Sequence, residues 1–476
     1  MRMAKDKTCP YYFNQESHMA WNRRYSLRSY VRSALWIVPV LALITEFVVK
    51  PLAEALGGWM VSQGFYDLQT GFFAVNATEA HAILDRIFTL NLSCLMFTFG
   101  SLLVAIQVAG GQYTPRIIAT TLLQDAVIRG IVGLFVFTLL WAHRTMIQLG
   151  QSTQVPQFQV FLTTIFAIAS LIAFILLIDY SAKLLRPVSL VRRVSEQGVA
   201  VIDSVYPYPT QDLPVPAAPP RQPQWRFPSW RSRGEPIHST PATKRGPPDR
   251  VIYHQGKSAT VLAVNLRELV TEAQRADGVI ELAAQVGDFL SVDEPLFYWY
   301  GNPDALHEQR LRDLVALGSE RTMEQDPMFS FRIEVDIALK ALSPAINDPT
   351  TAVLAIDQLN RLLRMVGKRS LRDHEIVDQM GQPRVVFRTP NWEDFVHISF
   401  REIRHCGAGS LQIERRLRAM IENLTKSLPE HRHPALLVEL DLLDRAIAQQ
   451  HSFDEDVALA RIPDSQGLGG ASGAKA

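Results

Sequence analysis

The first 180 residues contain four long apolar runs, at 33–49, 87–109, about 131–147 and 158–179. The hydrocarbon core of a bilayer is crossed by about 20 consecutive apolar residues in a helix, within a range of about 17 to 25. Four runs of this length constrain the fold more than any other feature, because few other environments accept so much apolar helix. The expectation is a multidomain membrane protein with a four-helix transmembrane α domain. A cleaved signal peptide does not fit the first run, which carries Pro39 and Glu46 and follows a long polar N-terminus; a signal anchor does.

Lys and Arg beside the runs give the orientation. Arg2, Lys5, Lys7, Arg23, Arg24, Arg28 and Arg32 precede the first run, and Lys183, Arg186, Arg192 and Arg193 follow the fourth. Positive flanks stay inside, so both termini are expected to be cytoplasmic. Lys50, Arg86 and Arg144 fall to the outer loops on this reading, and Arg116 and Arg129 to the inner one. Cys9, Cys94 and Cys406 lie too far apart in sequence to suggest a disulfide framework or metal spacing. No cofactor and no metal is expected.

With 48 basic against 47 acidic residues, the chain has no global excess of the kind nucleic-acid binders show, and no nucleic acid is expected among its partners. Domain boundaries follow from composition. Residues 1–32 form an N-terminal extension, 33–180 the transmembrane domain, and 181–205 a juxtamembrane helix. Residues 206–250 hold 12 of the 28 prolines and read as an extended linker. Within that linker, QWRFPSWRSR mixes Trp225, Phe227 and Trp230 with arginines; it suits either an anionic lipid surface or a solvated tether.

A cytoplasmic α+β domain is expected beyond it: a small β-rich subdomain at 251–300, a mainly helical bundle at 301–462, and an unstructured tail at 463–476. SATVLAVN reads as a strand, Asn265 with Glu268 three residues on caps a helix, and Asp277–Gly278 turns the chain into VIELAAQ. EIVDQMGQPRVVFR reads as a hairpin around Gly381, and helices are expected over 391–405, 410–426 and 434–450.

The stretch RTMEQDPMFSFRIEVDIALKALSPAINDPTTAVLAIDQL, 321–359, places charges among closely spaced apolar residues. Asp326–Pro327 and Asp348–Pro349 each read as a helix start, with the carboxylate at N-cap and proline at N1. Between them a helix over 327–342 has two apolar faces, with Arg332, Asp336, Lys340 and Ser343 in the strip that separates them. Two readings stay open. In one, the charges form a structural clamp between helices. In the other, Arg321, Asp326, Arg332, Asp336, Asn347, Asp348 and Arg404 line a polar site for a small anion or divalent ion. SPAIN, 343–347, reads as a tight turn.

That stretch, with GGQYTPRI (110–117), GDFLSVDEPL (287–296) and FREIRHCGAG (400–409), resembles the DUF2254 family of bacterial predicted membrane proteins. The resemblance covers most of residues 30–460, and ALSPAINDPTTA is its most specific part. It implies a bacterial inner-membrane protein with a membrane domain and a cytoplasmic domain, and it carries no catalytic residues over.

In the second run, Arg86, Ser93, Gly100, Gln107 and Thr114 recur at intervals of seven, forming a seam of small or polar groups. Such a seam packs helices together or lines a water-filled face in a homo-oligomer. Gly110, Gly111 and Pro115 read as the end of that span and a hinge, with Arg116 placed to meet Asp125. Glu46, His143 and Arg144 are expected near span ends, at the interface. HExxH, GxSxG, a complete phosphate loop and CxxC are all missing, so an enzyme is not the favoured class. An oligomeric channel or transport-type protein with a cytoplasmic regulatory domain leads, and a membrane-tethered binding module without transport is the alternative.

Overall fold

On α2 (Ile37–Ser62) apolar side chains point outward while two of its three charges point inward: Leu41, Ile44, Phe47, Val48 and Leu52 are exposed, Glu46 and Lys50 are buried, and Glu54, toward the C-terminal end, is exposed. This inversion of the ordinary globular pattern is what a helix facing lipid requires. In the computed structural model, which describes residues 21–33, 36–63, 75–112, 125–151, 155–184, 186–210, 246–371 and 375–468, outward-facing apolar side chains continue along α3 (Ala77–Gln112), α4 (Ala126–Gln151) and α5 (Gln157–Leu184). Helix α4 is central, packing against α2, α3 and α5. Thr138 and Ser170 share a buried hydrogen bond of 3.1 Å between α4 and α5.

Three helices among the described residues, not the four expected, are both long and apolar enough to cross a membrane: Ala77–Val108 within α3, Ala126–Gln151, and Gln157–Lys183 within α5. The 26 residues of α2 are sufficient in length but include Glu46, Lys50 and Glu54. Nor does α2 end at residue 49; it continues through Pro51 to Ser62. Lys50, Arg86 and Arg144 accordingly lie in helices rather than loops. Glu46 is well inside α2, where Arg144 of α4 donates to its two oxygens at 3.3 and 3.1 Å. Lys50, 1% exposed, donates to Thr145 Oγ1 at 3.2 Å and lies 5.7 Å from the Trp141 ring centroid. Pairing within the bundle is what makes these charges tolerable at such positions.

Helix α6 (Pro187–Val205) follows α5 and joins a second helical layer made by α9 (Pro327–Ala341), α10 (Pro349–Gly367), α11 (Trp392–Cys406), α12 (Leu411–Ser427), α13 (His433–Gln450) and α14 (Asp454–Ala460). Its core runs from Leu190, Val194 and Ile202 of α6 through Phe331, Ile356, Phe395 and Phe400 to Leu417 and Leu443. Both Asp-Pro starts hold. Asp326 accepts from Phe329 N at 3.2 Å, and Asp348 accepts from Thr351 N at 3.1 Å and Thr351 Oγ1 at 2.5 Å. In the turn between α9 and α10, Asn347 sits at φ 47°, a left-handed conformation that asparagine tolerates better than most residues. Residues 463–468, expected to be unstructured, pack on α12: Asp464 is buried and Gln412 donates to the Gly467 carbonyl.

The β-containing unit is separate and gathers residues 244–320 and 375–387 with the start of α1 (Trp21–Ser33). Among the described residues it has eight strands: β1 (Arg250–Tyr253), β2 (Ala259–Val264), β3 (Val279–Leu282), β4 (Phe289–Leu290), β5 (Pro295–Tyr300), β6 (Val315–Gly318), β7 (Glu375–Val377) and β8 (Pro383–Val386). One sheet has the order β1-β5-β3-β8-β7, with β3 and β8 parallel, and the other β4-β2-β6. Helix α7 (Leu266–Arg275) starts at Asn265, whose side chain accepts from Glu268 N, and buries Leu269 and Ala273; α8 (Glu308–Arg312) precedes β6. The β-rich part thus extends beyond 300, because β6 and the β7–β8 hairpin complete its sheets.

Candidate functional site

Helix α6 carries two different faces. One holds Leu190, Val191, Val194, Ser195, Gly198, Ile202 and Val205, all buried. Gly198 lets its neighbours approach tightly: a Cβ there would lie 2.8 Å from Ser330 Cβ and Oγ of α9 and 3.0 Å from Leu362 of α10. The far end is tied down as well. Asp203 pairs with Arg369, Thr210 N donates to Lys368 O, and Ser370 N donates to Tyr208 O. Since α10 ends beside the C-terminal end of α6, these two helices run parallel. Helix α9, the other arm of the α9–α10 hairpin, runs antiparallel to α6.

The other face reaches the membrane-type helices through Arg193. Its Nη1 donates to Asp125 Oδ2 at 2.5 Å and its Nη2 to the Tyr180 hydroxyl at 2.8 Å, while that hydroxyl donates to Asp125 Oδ2 at 2.5 Å. Asp125 Oδ1 accepts from Val127 N and Ile128 N at the start of α4. Burial alone would push the Asp125 carboxyl up. The Tyr180 hydroxyl, the Arg193 guanidinium and the Ile128 amide outweigh it and hold the group below the usual aspartate range. Burial also disfavours the Arg193 charge, but Tyr180 and Asp125 reverse that effect and raise its proton affinity. One carboxylate thus joins the start of α4, the end of α5 and the first half of α6.

The seven residues expected to share a polar site include two bonded pairs, Arg321 with Asp326 and Arg332 with Asp336. Arg321 pairs with Asp326, and its guanidinium lies 5.5 Å from the Phe329 ring centroid. Arg332 donates through Nε to Asp336 at 2.7 Å and through Nη1 and Nη2 to Glu402 of α11 at 2.5 and 3.0 Å. The partner across the helices is therefore Glu402, whereas Arg404 has a buried Nε with no hydrogen-bond partner among the described residues. Asn347 and Asp348 shape the turn and cap α10. Lys340 is exposed.

The fully buried charge of α9 is one the two-faced pattern passes over. Glu334 is 0% exposed, and neither carboxyl oxygen has a hydrogen-bond partner among the described residues. Burial drives its proton affinity well above the ordinary glutamate range. Its signal in the sequence is positional: Glu334 stands three or four residues from Ser330, Phe331, Ile337 and Ala338, all buried.

On α3 the seam residues Ser93, Gly100 and Gln107 are exposed, as is Arg86, while the inward line is Ala80, Leu84, Ile87, Asn91, Cys94, Thr98 and Ala105. The Ser93 hydroxyl donates to Thr89 O, and a Cβ at Gly100 would meet nothing within 4 Å. Gly110 and Gly111 lie just past the apolar span Ala77–Val108, in the last described turn of the helix, which runs to Gln112. Thr114, Pro115 and Arg116 lie outside the described residues, as does QWRFPSWRSR, and Asp125 is engaged by Arg193. Among the described residues, no three His, Cys, Asp or Glu side chains are placed to hold a metal ion. An open cleft of about 390 Å³ in the β unit is lined by Val251, Tyr253, Gln255, Asp293, Glu308 and Arg312.

Helices with apolar exteriors and paired charges inside, joined through a charged node to a layer with an ordinary buried core, define a multi-pass membrane protein with an extramembrane α/β part. The chain belongs to the family described as "Predicted membrane protein (DUF2254)", whose model matches residues 32–423. It is 22% identical over 453 residues to uncharacterized proteins of Mycobacterium tuberculosis (Rv1290c) and Mycobacterium bovis (Mb1321c), covering 92% of this chain and 81% of each relative. No solved structure matches it.

Proposed function

We propose that this is an oligomeric channel or transport-type protein of the bacterial inner membrane whose membrane helices are controlled from the cytoplasm through α6. The observation that carries the reading is the double engagement of α6, which is anchored in the helical layer at Gly198 and in the membrane helices at Arg193. A movement of α6 relative to α9 and α10 therefore pulls on Asp125 and Tyr180, at the ends of two spans. In this reading α2 is the fourth span, because Glu46 and Lys50 engage α4 and its exterior is mainly apolar, and both termini are cytoplasmic as the Lys and Arg flanks require. Ser93, Gly100 and Gln107 face away from the chain's own helices, which supports a second copy covering them and a homo-oligomer.

The Arg332 group is, on this reading, a clamp rather than an anion or divalent-ion site, because Nε, Nη1 and Nη2 of the guanidinium are all taken by Asp336 and Glu402. The alternative of a tethered regulatory module without transport draws support from the interior of the membrane helices, which is filled by Phe135, Trp141 and the Thr138–Ser170 bond. Ion flux in proteoliposomes separates the two. The channel reading expects flux in the native protein, altered by Arg193→Gln at unchanged protein incorporation. Absence of flux for every common cation and anion, from a folded oligomer, favours the module. External cysteine labelling in the 64–74 segment, with none at 211–245, checks the orientation.

A further inference from the structure

We infer that Glu334 is a protonation-dependent latch for α6, neutral while α6 is seated against α9 and ionised when α6 lifts away. The inference deepens the proposed control through α6 and rests on that reading for its consequence, though not for its chemistry. Ser330 packs tightly against Gly198 of α6, where an added Cβ would lie 2.8 Å from its side chain. Glu334 lies one turn further along α9, and in the antiparallel arrangement the corresponding turn of α6 is the one before Gly198, bearing Val194 and Ser195. These two are 0% exposed, and the Ser195 hydroxyl, like the Glu334 carboxyl, has no hydrogen-bond partner among the described residues. The seated interface therefore encloses a carboxyl without supplying a donor for its charge. An ionised carboxylate is not stable in such a place, so the seated state takes up a proton.

Among the described residues, no opposite charge rescues it from the helices packed on α9. On α6, Arg193 is bound to Asp125 and Tyr180, and Arg192 and Glu196 pair with each other at the surface. On α10, Asp357 pairs with Arg416, Arg364 bonds Asn423, and Arg361 is exposed. On α11, Glu402 holds Arg332, Arg401 holds Glu439 beside His397, and Arg404 makes no hydrogen bond to the Glu334 carboxyl. On α9 itself, Arg332 and Asp336 pair and Lys340 is exposed.

A carboxyl with raised affinity in the seated state makes seating strongest below the ordinary glutamate value of 4.5, and weakens it as pH rises toward the seated-state value. In that interval the ratio of seated to lifted α6 changes by about tenfold per pH unit, one proton being linked. Acidification of the side facing the helical layer seats α6; alkalinisation releases it.

The test uses the full chain in nanodiscs, with Cys9, Cys94 and Cys406 replaced and spin labels at Val188→Cys of α6 and Lys340→Cys of α9, both positions being exposed. Pulsed dipolar distances are measured from pH 5 to pH 9. The native sequence is expected to gain a longer-distance population as pH rises, and Glu334→Gln to keep the short one throughout. A native distribution that is constant over the range, or a Glu334→Gln distribution that tracks it, overturns the latch. If Glu334→Gln does not fold, Glu334→Leu removes the titrating group while filling the same apolar space. Thermal midpoints provide a second readout: the native midpoint should fall relative to either variant as pH rises, and parallel profiles refute the idea. Failure here leaves the flux response to Arg193→Gln untouched, and loss of that flux response leaves the pH-dependent distance untouched, so the two readings fail separately.

Discussion

Gly198 of α6 and Ser330 of α9 approach so closely that a methyl group on the glycine would lie 2.8 Å from the serine side chain. Contacts under about 3 Å between such atoms require one helix to move. Gly198→Val should therefore loosen α6 from the helical layer, with the loss of about 1–3 kcal/mol typical of overpacking. Ser330→Gly in the same chain should recover part of that loss by vacating the opposing volume. Thermal melts of the single and double variants in nanodiscs check this. Additive losses would place the strain elsewhere.

Arg332 is bound on both sides, by Asp336 and Glu402, yet the group is at the edge of the layer: side-chain exposures are 25% for Arg332, 16% for Asp336 and 50% for Glu402. Solvent screening at that depth reduces what either pair contributes. Asp336→Ala should cost only about 1 kcal/mol, well under the value for a fully buried pair. The double change Arg332→Leu with Asp336→Ala should cost no more than the single one. A thermal midpoint that rises with phosphate or divalent cations in the native protein, and no longer does in Asp336→Asn, would reinstate the binding-site reading of this group.

What was legible in the sequence follows the range of the interactions. The caps at the start of α7 and at the two Asp-Pro starts are local, and Asn265, Asp326 and Asp348 each accept the expected amide of the residue three positions on. The apolar runs located α3, α4 and α5 for the same reason, since each helix satisfies its own backbone. Strand β6 is four residues long, and its place beside β2 is set by pairing with a distant segment, which no local pattern encodes. The parallel pairing of β3 with β8 reaches further still along the chain. Glu334 was hidden differently: a helix buried on two faces leaves little perimeter for polar residues, and nothing in a single sequence says which of its charges falls outside the strip. The Arg193 node needed three segments brought together, so nothing local in the sequence pointed from Asp125 to Arg193.

Glu46 and Arg144 link α2 to α4, with the carboxylate buried and the guanidinium partly open. Glu46→Ala leaves a cation facing apolar surroundings, whereas Glu46→Ala with Arg144→Met removes both charges. The single change should be the more damaging, by about 1–3 kcal/mol after allowing for Arg144's exposure. Steric trapping or denaturant-dependent unfolding in lipid discs gives the comparison. Equal losses would show that the pair is not what holds α2 against α4.

Asp125 and Arg193 set the last expectation, which concerns pH. The folded-state value of the Asp125 carboxyl lies below the ordinary aspartate value of 3.8, so the unfolded chain holds the proton more tightly than the folded one. Its contribution to stability is then fully present above the ordinary value and is lost as pH falls through the folded-state value. Asp125→Asn keeps an acceptor for the Val127 and Ile128 amides at the start of α4 but removes the charge that Arg193 and Tyr180 bind. The native protein should exceed this variant by a constant margin between about pH 5 and pH 8, and the margin should close below about pH 4. Arg193→Ala leaves the buried carboxylate with Tyr180 and the two amides but without its guanidinium, and should cost about 2 kcal/mol, since Arg193 is itself one-third open to solvent. Tyr180→Phe should cost less, because the guanidinium still balances the charge. Thermal midpoints of the four proteins, taken from pH 3.5 to pH 8 in nanodiscs, test the ranking, and a margin that widens toward acid would reverse the sign on which the account of this node depends.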